Sequence, residues 1–176
     1  YVLLYKELTR GRYADFLADL PNDPPPPEGF RYSPMGPGVV AAEYPCPALA
    51  DTVKRLAANA ADVKGMLCLG EYYRLNGFDW VYFKAPPEGT LGSHIRLFPG
   101  EMIPRSAFYD KVIADPRAAR GDKAYALYRA VRCYEPTGAS SCGGNAVPQS
   151  QRQAWFRRLK RDYADTNWAR DLQYYW

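Results

Sequence analysis

Four cysteines, one histidine and several carboxylates are the residues of this chain whose chemistry could extend beyond packing. The segment RCYEPTGASSCGG, residues 132–144, sets Cys133 and Cys142 on either side of a loop containing Pro136, Gly138 and small residues. Such a loop closes readily to the ~5.5 Å between Cα atoms that a disulfide requires. Closure of a loop this size stabilises by about 2 to 3 kcal/mol. Cys46 stands just before one helix-like segment and Cys68 lies inside the next, so antiparallel packing brings them to the same end. Four cysteines allow three connectivities and the sequence alone does not choose, although geometry favours the local pairs 46–68 and 133–142.

Other thiol chemistry fits poorly. A zinc site takes four ligands, usually from C-x-x-C pairs or added histidines, and this chain has no C-x-x-C and only His94. No metal and no cofactor are expected. A reactive thiolate is favoured at a helix N-terminus, whereas Cys133 falls at the C-terminal end of a helical segment. Two structural disulfides imply an oxidising compartment, periplasmic or secreted.

Nucleophilic catalysis would have to run through His94, in GTLGSHIRLFPG beside Ser93, and no serine sits in a G-x-S-x-G elbow. Glycosidase-type chemistry would use paired carboxylates, with Glu71 as the acid and Asp79 as its partner. Against that, Glu71 has Arg74 three residues on, the spacing of a helical ion pair. A recognition surface would draw on Tyr72, Arg74, Tyr125, Arg129, Arg132 and Trp168, with Tyr128, Tyr174 and Tyr175 beside them, a set suited to a peptide or a glycan. The segment RQAWFRRLKRDY alternates cations with aromatics; it reads as a helix whose aromatics face the core and whose cations face water, or as a surface for an anionic polymer.

The 176 residues are 47% hydrophobic and 15% aromatic, enough to bury a sizeable core as one domain or two small ones. Net charge is +4, but basic and acidic residues interleave everywhere except between Arg152 and Arg161, which argues against a nucleic-acid partner. No charge-free stretch approaches the ~20 apolar residues that cross a bilayer. The chain starts at Tyr1 without a signal pattern, which suggests a fragment or processed chain.

The elements that must position these residues read as helical hairpins. Residues 1–20 place Leu3, Leu4, Leu8, Phe16, Leu17 and Leu20 at helical separations around Gly11, a hairpin that an upstream domain would continue. Residues 21–45 form a proline-rich linker or arm, with PPPP biased to extended structure. Residues 46–176 form the main domain. Its first hairpin carries Leu49, Val53, Leu56 and Ala57 on one helix and Met66, Leu67, Leu69, Gly70 and Tyr73 on the next, with Asp62 as cap. An ordered long loop follows from Phe78 to Pro104, in which only WVYF has strand propensity. Another hairpin uses Phe108 and Val112, then Ala124, Leu127, Tyr128 and Val131, with Pro116 closing its first helix. The last opens with a capping box, Ser150 and Gln153, and buries Trp155, Phe156, Leu159 and Tyr163. The spacings Phe108, Val112, Asp115 and Trp155, Leu159, Asp162 hint at an internal repeat.

The stretch LGEYYRLNG, Leu69 to Gly77, resembles the first helix of a tetratricopeptide repeat, with Met66 where that pattern prefers Trp. It covers about half of one repeat. The C-terminal LKRDYADTNWARDLQYYW, through Tyr163 and Trp168-Ala169, is similar to the last repeats of periplasmic tetratricopeptide-like proteins. The expected fold is therefore all-α: irregular stacked hairpins, an α-solenoid with long ordered loops and two disulfides. The resemblance implies a non-enzymatic scaffold that binds a protein or peptide segment; the aromatic and cationic residues add a glycan as the second partner class. The competing readings are a cell-envelope glycan-processing enzyme using Glu71 and a structural subunit of a larger complex.

Overall fold

Helical periodicity becomes eight α-helices in the computed structural model, which describes residues 2–21, 44–80 and 100–176. They are α1 (Val2–Thr9), α2 (Tyr13–Asp19), α3 (Leu49–Ala58), α4 (Val63–Asn76), α5 (Arg105–Ala114), α6 (Arg120–Arg132), α7 (Gln149–Asp162) and α8 (Asn167–Asp171), with a 3-10 turn at Phe78–Trp80 after α4. No strand occurs among the described residues. Each helix packs on its chain neighbours, and α4 also touches α6, as α6 touches α8. The regular structure of the described residues is all helical, and the expected hairpins are α1–α2, α3–α4, α5–α6 and α7–α8.

Local chemistry explains the boundaries. The Asp62 carboxylate accepts a hydrogen bond from Gly65 N at 2.7 Å, so it caps α4 as its spacing suggests. Gly77 ends that helix at φ 67°, a left-handed conformation that glycine adopts without steric cost. Helix α7 departs from expectation. It begins at Gln149 behind Pro148, whose extended ψ and fixed φ start the helix two residues early, so Ser150 lies inside the first turn and no side-chain cap forms. Gln153 instead donates to the Tyr175 hydroxyl at 2.8 Å.

The core is one continuous cluster running from Leu4 to Leu172. Phe78 lies at its centre near α1, with ring centroids 5.1 Å from Tyr5 and 5.2 Å from Tyr72. Tyr73, fully buried, donates through its hydroxyl to Leu8 O at 3.2 Å. Ile103 N donates to Thr9 O at 2.8 Å, which ties the entry to α5 onto the end of α1. These contacts join residues 1–20 to the same core as the rest, so the N-terminal hairpin is not set apart from 46–176. Tyr44, expected in the linker, is likewise core: it stacks on Tyr125 at 4.6 Å and donates to Asp122 Oδ1 at 2.5 Å. Most of the proline-rich arm, the segment from Val81 to Pro99 and His94 within it lie outside the described residues.

Both local disulfides are present. Cys46–Cys68 fastens the segment before α3 to the middle of α4, with Cα atoms 5.4 Å apart. Cys133–Cys142, at 5.3 Å, closes the loop between α6 and α7. The described residues contain no free cysteine. No helix among them is long and apolar enough to cross a membrane.

Candidate functional site

The carboxylates singled out for acid–base chemistry are both buried, and both are bound by arginines. Glu71, on α4, is fully buried and accepts from Arg74 Nε at 3.0 Å and Nη2 at 2.7 Å. The i+3 spacing therefore produces the two-point ion pair. Burial pushes the Glu71 carboxyl up, but the Arg74 hydrogen bonds and the nearby Arg129 guanidinium outweigh it and hold the group below its ordinary range. A glycosidase acid needs the opposite, a raised proton affinity and access to the glycosidic oxygen.

Asp79 lies in the 3-10 turn after α4, and its oxygens accept from Arg105 Nε at 3.1 Å and Nη2 at 2.7 Å. Arg105 is the first residue of α5 and is only 4% exposed. Its guanidinium also reaches the Tyr109 hydroxyl and Ser141 O, each at 3.4 Å. Burial pushes the Asp79 carboxyl up, against the pull of Arg105. The pair thus links the end of α4, the start of α5 and the disulfide loop. With Glu71 and Asp79 spent on arginines away from water, neither is placed to meet a substrate.

The expected recognition residues separate into two groups. Tyr72, Tyr125 and Arg129 are buried, so they do not line an open groove. Their side chains lie where α4 and α6 meet neighbouring helices: Tyr125 packs between Tyr44 and Trp168, and burial raises its hydroxyl well above the usual range. Arg74, Arg132 and Trp168 are half-buried. Arg132 donates to Glu135 Oε2 at 2.6 Å and to the Tyr128 hydroxyl, and Trp168 rests 5.4 Å from the Tyr128 ring. Aromatic and cationic residues on these helices mainly serve helix–helix contact, because a large ring gains more from a neighbouring helix than from water.

In the last hairpin the expected buried stripe is narrower than its spacing suggests. Leu159 is the buried residue of α7, and Tyr163 follows it into the core, whereas Trp155 and Phe156 are half-buried. The outward side carries exposed Ala154, Arg157 and Arg161, with Arg158 half-buried beside them. Helix α7 holds five cations, with Arg152 and Lys160, against one carboxylate, Asp162; its net charge equals the +4 of the whole chain. The remaining residues balance.

A cleft of about 250 Å³ lies elsewhere, between α2 and α3, lined by Gly11, Arg12, Tyr13, Asp15, Leu56 and Ala60. None of the expected site residues borders it. Among the described residues no group of histidines, cysteines and carboxylates could hold a metal ion. Sequence reasoning passed over Arg105, since nothing in an arginine after a proline marks it as buried; only the i+4 Tyr109 signals a contact. No protein family, curated protein or solved structure matches the chain.

Proposed function

We propose that this chain is a non-enzymatic binding or scaffold module of tetratricopeptide-like stacked hairpins, working in the periplasm or outside the cell and engaging a protein or peptide partner through its helical surface. The observation that carries this reading is the state of the two candidate acids. Glu71 and Asp79 are each buried against an arginine: Glu71 is bound to Arg74 on its own helix, and Asp79 to Arg105 ties the turn after α4 to α5. The order of packing, each helix on its chain neighbours, is what a hairpin array requires, since each hairpin leaves an apolar face that the next must cover. Two disulfides suit an oxidising compartment.

The test pairs a positive and a negative measurement on the oxidised full chain. Photo-crosslinking in an extract of the cells that make it should yield a discrete protein adduct that disappears when the chain is reduced and unfolded. Incubation with purified cell-wall glycan should release no soluble fragments. Release by the wild type but not by Glu71→Gln would overturn the reading in favour of the glycan-processing enzyme.

A further inference from the structure

Arg157, Arg158 and Arg161 form a triangle on the outer side of α7, with Arg157 and Arg161 exposed and Arg158 half-buried. Arg161 is one helical turn from Arg157 and three residues from Arg158, so their side chains are neighbours on the helix surface. Ala154, exposed and small, leaves the approach open on the N-terminal side. Arg161 is paired with Asp162, Nε to Oδ1 at 2.6 Å. Arg157 and Arg158 form no ion pair among the described residues. Like charges at this spacing repel one another. Lys160 and Arg161 at the end of the helix offset its dipole, but Arg157 stands a turn earlier, where that benefit has faded. The other cations of α7 have inward uses: Arg152 donates to Gly138 O at 3.1 Å, and Lys160 donates to Ala169 O.

We infer that the Arg157–Arg158–Arg161 face of α7 docks a short acidic segment of a protein partner, which supplies the carboxylates this helix lacks. Guanidinium groups bind carboxylates through two parallel hydrogen bonds, so two or three of them select a few clustered acids. The footprint favours a peptide over other anions. The triangle spans about one helical turn, roughly 6 Å, whereas a protein held by a nucleic-acid backbone typically neutralises about 6 to 10 phosphates. A membrane-surface helix must offer a free apolar stripe, and here Leu159 is buried while Phe156 packs on Tyr175 at 5.5 Å. With the rest of the chain electrically balanced, the acidic partner is drawn to this one helix.

This inference rests on the binding-module reading and names its partner chemistry. The experiment titrates a fluorescein-labelled octaglutamate peptide with the oxidised full chain, followed by fluorescence anisotropy at about 50 mM salt, where surface charge is weakly screened. Saturable binding is expected, weakening as salt rises. In the double variant Arg157→Glu, Arg158→Glu it should fall at least about tenfold, since the charges facing the peptide are reversed. The pair Lys54→Glu, Lys111→Glu makes the same change in net charge on exposed positions of α3 and α5 and should alter binding less than about twofold. Arg157→Lys, Arg158→Lys should retain most of the affinity, and circular dichroism melts should match for all variants. Absence of saturable binding overturns the inference, as does equal weakening by the two charge-reversal pairs. Tighter binding of phosphatidylglycerol vesicles or of a single-stranded oligonucleotide through the same arginines reassigns the face and overturns it too. A cellular partner whose crosslinking is not suppressed by the peptide added before irradiation overturns this inference while leaving the module reading intact. Cell-wall hydrolysis would do the reverse.

Discussion

At the scale of single residues, Arg105 joins three parts of the fold: Asp79 after α4, Tyr109 on α5 and the Ser141 carbonyl of the disulfide loop. Removing one partner of a buried ion pair strands the other charge, which typically costs about 3 to 5 kcal/mol, whereas replacing both by apolar groups is often near neutral. Arg105→Met is therefore expected to lower stability by about 3 to 5 kcal/mol, and Asp79→Leu combined with Arg105→Met by clearly less, both read from urea unfolding. A double variant as unstable as the sum of the singles would show that the two residues do not act as a pair. Glu7, buried at the end of α1, gives a second prediction. Burial first, then the nearby Asp19 and Asp15 carboxylates, raises its carboxyl from 4.5 to about 7, with Arg12 opposing. Between those values the folded chain holds a proton that the unfolded chain has lost, so this group's contribution to stability falls as pH rises from about 4.5 to 7. Glu7→Gln should accordingly stabilise the chain at pH 8 relative to wild type, with the advantage shrinking toward pH 5 in thermal melts. An advantage that does not change with pH would sink the assignment. Of these residues the sequence exposes only the Glu71–Arg74 pair, because both partners sit on one helix. Asp79 with Arg105 depends on two elements 26 residues apart, and no local spacing reveals that.

At the scale of elements, the motif LGEYYRLNG owes its glycines to two different physical demands. Gly70 lies against the Tyr109 ring of α5, where an added Cβ would come within 3.3 Å of the hydroxyl. Gly77 meets nothing within 4 Å, and its positive φ alone explains it. Gly65, outside the motif, is tighter than either: a Cβ there would stand 2.8 Å from Leu56 Cγ, at the crossing of α3 and α4. Overpacking a close contact costs about 1 to 3 kcal/mol, and a residue other than glycine at a left-handed cap about 1 to 2 kcal/mol. Gly65→Ala should then destabilise more than Gly77→Ala in chemical denaturation; the reverse order would place the strain in the cap and not in the crossing. Helix existence was legible because apolar residues such as Leu49, Val53 and Leu56 recur on one face and all three are buried. Asp62 was legible as a cap because its chemistry is local. Ser150 misled for the same reason: a capping box is a local pattern, and Pro148 offered an earlier start. The burial of Tyr72, Tyr125 and Arg129 was not legible, since aromatic and cationic residues suit a groove and a helix interface alike until the neighbouring helix is placed.

At the scale of the whole molecule, the disulfides act at different places in the fold. Cys46–Cys68 secures the chain leading into α3, close to Tyr44, whose ring reaches α6. Cys133–Cys142 shapes a loop that holds the start of α5: Ser106 N donates to Cys142 O at 3.2 Å, Ser106 Oγ to Gly143 O at 3.0 Å, and Arg105 to Ser141 O. Loosening that loop therefore disturbs the Asp79–Arg105 pair as well as the turn itself. From the entropy of the loops alone, spanning 22 and 9 residues, the bonds contribute about 3.4 and about 2.6 kcal/mol. Their sum of about 6 kcal/mol is comparable with the whole stability of many domains, about 5 to 15 kcal/mol. The paired serine replacement at 133 and 142 should cost more than its loop entropy predicts, because it also frees the contacts to α5, while the pair at 46 and 68 should stay nearer its loop value. Reducing both bonds should shift the urea midpoint strongly downward or unfold the chain outright. A midpoint that stays the same with and without dithiothreitol would show that the helical packing is sufficient without them, and it would remove the argument that the chain is built for an oxidising compartment.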